Sequence, residues 1–182
     1  MLYRKTVTLR DGRSCLLRNA AAEDGQAVLD TFIRTHAETD FLLTYPDETT
    51  FTAEEEAQFL QGKADSGDEI EIVAVLDGKI VGSAGIGKVG RRDKIKHRAE
   101  FGVSVLKEHW GRGIGRALTE GCIECATAAG YLQLELDAVA DNTAALALYQ
   151  SVGFREYGRN PRGFRTRSGD WQELVLMRTE LT

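Results

Sequence analysis

One stretch narrows the folds open to this chain more than any other: Val103-Ser104-Val105-Leu106-Lys107-Glu108-His109-Trp110-Gly111-Arg112-Gly113-Ile114-Gly115-Arg116-Ala117-Leu118. A β-rich segment runs into a turn with glycine at alternate positions, and an apolar helical pattern starts at Ile114. A strand that enters such a turn and a helix that leaves it pack as two layers of an α/β fold. Glycine permits positive φ and lets a ligand approach the backbone. The first N–H groups of the helix have no intrahelical partner, and the helix dipole adds positive potential there. Arg112 and Arg116 add formal charge. Such a turn is an anion site that suits a pyrophosphate. The competing reading is a tight turn that uses glycine for geometry alone; alternate glycines with two arginines weaken it.

Two other phosphate loops fail on spacing. Gly111-x-Gly113-x-Gly115 is not the dinucleotide fingerprint, and no Gly-Lys-Ser/Thr follows. Gly85-Ile86-Gly87-Lys88-Val89-Gly90 does match that fingerprint. It runs into Arg91-Arg92-Asp93-Lys94 without an apolar helical pattern, so it reads as a strand end entering a charged hairpin.

The rest of the chain supplies the partners. Thr6–Leu9 and Ser14–Leu17 flank Asp11-Gly12, a hairpin signal. Ala22 to about Ala37 reads as a helix with Gly25, Val28, Leu29, Phe32, Ile33 and His36 on its apolar stripe. Thr52 and Glu55 form a capping box for a second helix, with Ala53, Ala57, Leu60 and Ala64 inward. Strands are expected at Ile70–Leu76, Ile80–Lys88, Arg98–Val105, Tyr131–Val139, Phe154–Tyr157 and Trp171–Met177, and helices at Ile114–Ala129 and Asn142–Val152. The order is roughly ββααβββαβαββ. It implies an α/β (α+β) fold: a mixed, mostly antiparallel sheet of about seven strands flanked by about four helices.

No repeat or linker divides the 182 residues, so residues 1–182 read as a single domain. No apolar run approaches the roughly 20 residues a membrane helix needs, and Met1–Lys5 leads into alternating residues. Neither membrane association nor export is expected. Three cysteines, an odd number, fit a reducing cytoplasm. A net charge of −5 argues against a nucleic-acid partner.

A second constellation follows: Asp141-Asn142-Thr143-Ala144-Ala145-Leu146-Ala147-Leu148-Tyr149-Gln150-Ser151-Val152-Gly153-Phe154. Asn142 can cap the helix and still offer its amide. Ala145, Leu148, Tyr149 and Val152 share a face, where Tyr149 could be a core aromatic.

The strand, glycine loop and helix, followed by Asn-x6-Tyr-x3-Gly-Phe, resemble the GNAT superfamily of acyl-CoA-dependent N-acetyltransferases. The resemblance runs from Ser14 to Met177 in element order. It implies acetyl-CoA as co-substrate, with its pyrophosphate on the amides of Gly111, Arg112, Gly113, Ile114, Gly115 and Arg116. It implies pantetheine paired as a pseudo-strand along Val103, Ser104 and Val105, in a splay between central strands. Asn142 would stand near the pantetheine arm and Tyr149 near the thioester sulfur. The family often has Arg or Gln where this chain has Trp110, which puts one polar contact in doubt. A homodimer is common in the family, and no metal is implied.

The implied reaction is direct attack of a neutral amine on the thioester. An N–H around Val105 would meet the oxyanion. Tyr149 is the general-acid candidate for the leaving thiolate. Glu100, on the strand that meets the cofactor, and Asp137, five residues before Asn142, are the candidate bases. Each could equally be a solvated or structural carboxylate. The acceptor is a small-molecule or peptide amine, and Thr39–Phe51, with Phe41, Leu42, Leu43, Tyr45 and Phe51 beside Asp40, Asp47 and Glu48, is the segment expected to build its site. The alternative function is a non-catalytic acyl-CoA-binding module; a basic-loop nucleic-acid binder comes third.

Other conspicuous residues have plainer readings. Cys122 and Cys125 share a face with Ile114 and Leu118 and lack a second pair, so they are expected as buried thiols. His36 is expected to be structural before it is a site residue. Arg91–Arg98 reads as a solvated hairpin, and Arg155, Arg159, Arg162, Arg165 and Arg167 as exposed loop that could meet an anionic substrate group.

Overall fold

Period-two alternation puts Ile70, Ile72, Ala74 and Leu76 on one side of a strand and Val73 on the other, and all five are buried. Apolar cover on both sides marks a central strand flanked by helices. The computed structural model describes residues 1–181. Its elements are β1 (Arg4–Thr8), β2 (Ser14–Asn19), α1 (Gly25–Ala37), α2 (Ala53–Asp65), β3 (Ile70–Leu76), β4 (Lys79–Lys88), β5 (Arg98–Val105), α3 (Ile114–Ala128), β6 (Gln133–Val139), α4 (Thr143–Ser151), β7 (Arg155–Arg165) and β8 (Trp171–Glu180). The strands form one eight-stranded sheet in the order β1-β2-β3-β4-β5-β6-β8-β7. Every pairing is antiparallel except β5 with β6. Among the described residues no helix is long and apolar enough to cross a membrane.

The main core lies on one face, under α3 and α4, and joins Ile72, Ile86, Phe101, Leu118, Leu134, Tyr149 and Met177. A smaller cluster of Ala20, Val28, Leu60 and Val73 lies on the other face, under α1 and α2. The local signals explain the helix ends. Thr52 Oγ1 accepts from the Glu55 amide at 3.2 Å, and Glu55 returns a carboxylate to the Thr52 amide at 2.8 Å, so the capping box forms as read. Gly130, at φ +83°, stops α3.

Two expectations need correction. The inward stripe of α1 is rotated: Ile33 is 37% exposed, while Thr31 and Thr35 are buried. Their hydroxyls donate to the carbonyls of Ala27 (2.7 Å) and Phe32 (2.9 Å), which makes burial tolerable. The expected short strand at Phe154–Tyr157 extends to Arg165, so most of the arginine cluster read as loop lies on an edge strand. Pro161 is accommodated there, where the β7–β8 register shifts between Asn160 and Phe164. The fingerprint-like glycines continue β4 as far as Lys88, as expected.

One feature of the sheet positions the site. β5 and β6 pair over three positions only, Arg98–Gln133, Ala99–Leu134 and Glu100–Glu135. Beyond Glu135, β6 stays with β8 through Val139, while β5 stays with β4 through Val105. The two central strands therefore part, and a gap opens in the middle of the sheet.

Candidate active site

The gap is lined by backbone without a strand partner. Leu106 donates to the Val81 carbonyl at 2.9 Å, and Val89 to the Arg98 carbonyl at 3.2 Å. These bonds set the phase of the β4–β5 ladder: Gly82–Val105 and Ala84–Val103 are non-hydrogen-bonded pairs. The N–H and C=O groups of Val103 and Val105 thus point away from β4, toward the side that β6 has left. Interior backbone groups are normally paired, so this edge is an opening for an extended ligand.

At the end of that edge the chain turns through Lys107–His109 into the glycine loop. Gly111 has φ +75° and Gly113, the N-cap of α3, has φ +99°. A Cβ at Gly111 would meet nothing within 4 Å, and one at Gly113 only Arg10 Cγ at 3.9 Å. Glycine is required here by backbone angle, and the space beside it is open. The first amides of α3 face that space without a side-chain cap.

A cleft of about 480 Å³ joins these parts. Val103, Ser104, Val105, Gly111, Gly113, Ile114, Gly115, Arg116, Asn142 and Tyr149 all line it. Of the expected cofactor residues only Arg112 does not: its guanidinium donates to the Glu108 carbonyl at 3.0 Å and lies 3.4 Å from Asp11. Arg116 pairs with Glu120 at 3.0 Å and reaches Ser151 Oγ at 2.5 Å. Asn142 Oδ1 accepts from the Ala145 amide at 3.3 Å, capping α4. Its side-chain NH₂ has no protein partner among the described residues and is free for a ligand.

Tyr149 is 9% exposed. Its ring meets Phe101 edge-on, with centroids 6.1 Å apart, and Phe154 at 5.9 Å. Burial pushes its pKa up to about 12, so the phenol is protonated at neutral pH. No protein group among the described residues bonds its hydroxyl, which is not sealed either and opens on the cleft.

Glu100 and Asp137 stand elsewhere. Strand alternation puts Phe101, Val103 and Val105 on the α3 face with Tyr149, and Glu100 and Ser104 on the α1 face. Asp137 shares that second face with Glu135. Both candidate bases are exposed and neither lines the cleft. Glu135 is held by a bidentate bond from Arg98, with one contact at 2.7 Å. Burial first, then the neighbouring Glu135, raises the Asp137 pKa from the ordinary aspartate value.

Three features escaped the sequence reading. Arg10, on the β1–β2 turn, lines the cleft, although nothing in its local sequence marks it. Trp110, 46% exposed, does more than replace a polar residue: its indole N–H donates to the Val105 carbonyl at 2.6 Å, taking one acceptor of the unpaired edge. His109 lines the cleft with Nδ1 sealed and unpaired, and burial lowers its pKa. Of the acceptor segment, Thr39, Phe41 and Leu42 line the cleft, whereas Leu43 and Phe51 are 74% and 50% exposed. His36 is structural: it stacks on Phe32 at 3.8 Å and bonds the Phe32 carbonyl at 2.7 Å. Cys15, Cys122 and Cys125 are buried free thiols.

A sheet split between two central strands, with a glycine loop at the mouth of the split, defines a class of acyltransferase fold. The model of the acetyltransferase (GNAT) family matches residues 31–154, more than half of the chain, and the chain belongs to that family. It is 39% identical over 93 residues to the N-alpha-acetyltransferase RimI of Mycobacterium tuberculosis, a match covering 51% of this chain and 56% of that protein. The chain thus matches little more than half the length of that relative. A crystal structure of a GNAT acetyltransferase from Streptococcus pneumoniae superposes with TM-score 0.88 and 32% identity, over 92% of this chain and 99% of that one. The fold also matches yncA of Salmonella typhimurium, a putative acetyltransferase solved with acetyl-CoA (TM-score 0.81, 22% identity, 91% of this chain and 93% of that one).

Proposed function

We propose that the chain is a single N-acetyltransferase domain, residues 1–182, that moves an acetyl group from acetyl-CoA to a primary amine. The observation that carries this reading is the unpaired edge of Val103 and Val105, which runs into an open glycine loop in the cleft where Tyr149 presents its hydroxyl. An extended pantetheine amide chain matches the edge, and a pyrophosphate matches the loop. Acetyl-CoA supplies an activated acetyl thioester.

The chain's own groups divide the remaining work. The Val105 N–H faces the gap and can donate to negative charge that develops on the acyl oxygen. The Tyr149 phenol holds its proton and can deliver it to a departing thiolate. Asp137 and Glu100 stand on the opposite face and can take a proton from an incoming ammonium, directly or through water. Ser104, Thr35 and Thr39 add hydroxyls, and Phe41 and Leu42 apolar wall, where the acceptor would enter.

The test is thiol release from acetyl-CoA with a panel of free amines, polyamines, aminoglycosides and short peptides. Amine-dependent release is expected with at least one class. Tight acetyl-CoA binding with no release for any amine would replace the enzyme by an acyl-CoA-binding module.

A further inference from the structure

We propose that Arg10 is the side chain that clamps the cofactor's pyrophosphate from the side opposite the α3 amides. The inference rests on the reading that acetyl-CoA occupies the cleft.

Four arginines surround the glycine loop, and three are already engaged by acids. Arg13 is paired with Asp11 at 2.9 Å and Asp77 at 3.2 Å. Arg112 lies 3.4 Å from Asp11 and donates to the Glu108 carbonyl. Arg116 pairs with Glu120 at 3.0 Å. Among the described residues Arg10 has no carboxylate partner. Its one bond is NH1 to the Gly111 carbonyl, a long 3.3 Å. A guanidinium has five N–H donors in a planar fork that matches phosphate oxygens, so most of its capacity is unspent.

The turn that carries Arg10 is built to hold it there. Leu9 is 4% exposed and sits in the main core. The Leu9 amide donates to the Arg13 carbonyl at 2.8 Å, and Gly12 donates back to Leu9 at 3.0 Å. The Arg10 amide itself donates to the Arg112 carbonyl at 3.1 Å, tying the hairpin to the glycine loop. Among the described residues, and its own chain neighbours aside, only Arg10 Cγ comes within 4 Å of where a Cβ of Gly113 would stand. The backbone thus places an exposed, uncompensated cation beside a helix N-terminus, itself a positive end. That arrangement is unfavourable by itself and becomes favourable when an anion enters between them. Arg112, the cation that the loop sequence suggests, is held by the Glu108 carbonyl and Asp11 and does not line the cleft.

A CoA ligand offers two phosphate sources, the pyrophosphate and the 3′-phosphate. The contact with Gly111 assigns Arg10 to the first. Calorimetry on the full chain with acetyl-CoA and with dephospho-acetyl-CoA, which lacks the 3′-phosphate, separates them. Arg10→Ala should weaken both ligands by the same factor, about tenfold or more, and flatten the salt dependence. Arg13→Ala and Arg112→Ala should each weaken acetyl-CoA by no more than about threefold. Arg10→Lys, which keeps the charge and loses the fork, should fall between. Unchanged affinity in a folded Arg10→Ala variant overturns the assignment. So does a penalty equal to that of Arg13→Ala, which would show a general field effect, or one that vanishes with the dephospho ligand. If the wild-type chain binds neither ligand, the acetyl-CoA reading itself fails and the proposal falls with it.

Discussion

Replacing Tyr149 by Phe separates chemistry from packing more cleanly here than at most buried tyrosines. The ring contacts to Phe101 and Phe154, at 6.1 and 5.9 Å, survive the change. The hydroxyl has no protein hydrogen bond to lose, so the stability cost should be below about 1 kcal/mol. For a domain of this size that is a Tm shift of no more than about 2–4 °C. A positioned general acid contributes about 10²–10⁴-fold, so kcat should fall by that factor while KM for acetyl-CoA stays nearly constant. With the phenol pKa pushed up to about 12, Tyr149 should add no alkaline limb to the kcat profile of the wild-type enzyme below about pH 10. Steady-state kinetics and thermal melts on one preparation measure all three. A variant that keeps most of its kcat would refute the donor role and leave the cleft and fold as they are.

Gly113→Glu should abolish acetyl-CoA binding in calorimetry while the chain still folds. The open space accepts the side chain, φ +99° adds roughly 1–2 kcal/mol of strain, and the carboxylate meets the pyrophosphate; unchanged binding would remove the loop from the site. Asp137→Asn should lower kcat by about 10²-fold or more, and more than Glu100→Gln does. Because the Asp137 pKa is raised, wild-type kcat should fall as pH drops through a value above that of an ordinary aspartate, and the variant should lose that limb; an unaltered profile would pass the role to Glu100 or a water relay. Asp24→Asn tests the fold. Arg18 grips Asp24 at 2.6 and 2.8 Å and holds its pKa down, so the pair's stabilisation is full above the unfolded value of about 3.9 and lost as pH falls through the folded one. The variant should be about 1–2 kcal/mol less stable at pH 7, and the difference should shrink toward zero near pH 2 in acid melts.

Local chemistry made much of the fold legible. The Thr52–Glu55 box, the Asp11-Gly12 turn and the Asn142 cap each depend on neighbours within a few residues, and each is where the sequence puts it. The glycine loop was legible for the same reason. Long-range geometry was legible only through the family resemblance, which implied a splay between central strands. No residue between Arg98 and Val139 itself announces that β5 and β6 pair for three residues and then part; that depends on β6 following β8 instead. Arg10 was invisible because 100 residues separate it from the loop that it touches. Ile33 misled because period alone cannot show that Thr31 and Thr35 satisfy their hydroxyls on the helix's own carbonyls and so can turn inward. β7 runs on through Gly158, Pro161 and Gly163 because it pairs with β8 alone, and an edge strand tolerates such residues. Gly163 is even required there, since a Cβ would sit 2.3 Å from Leu174.

On the proposed reading, the parted strands let the candidate acid and the candidate bases act on one bond from opposite faces of the sheet. In an unbroken sheet, a side chain on one face is screened from the other by a layer of paired backbone, and no small group can be reached from both. Here the layer is open between Val103–Val105 and Leu136–Val139. Tyr149 approaches the opening from the α3 face, among Phe101 and Phe154, where burial keeps its proton in place. Asp137 and Glu100 approach from the α1 face, exposed and close to water. On that reading an acyl group in the opening meets the Tyr149 phenol on one side, while Asp137 and Glu100, which do not line the cleft, are reached on the other side through water. The proposed direct attack would use that separation, because the amine would lose a proton on the side from which it arrives, while the thiolate would gain one on the side toward which it leaves. A serine or cysteine nucleophile would add nothing to this arrangement, and the three cysteines, all buried under the sheet, are in no position to serve as one.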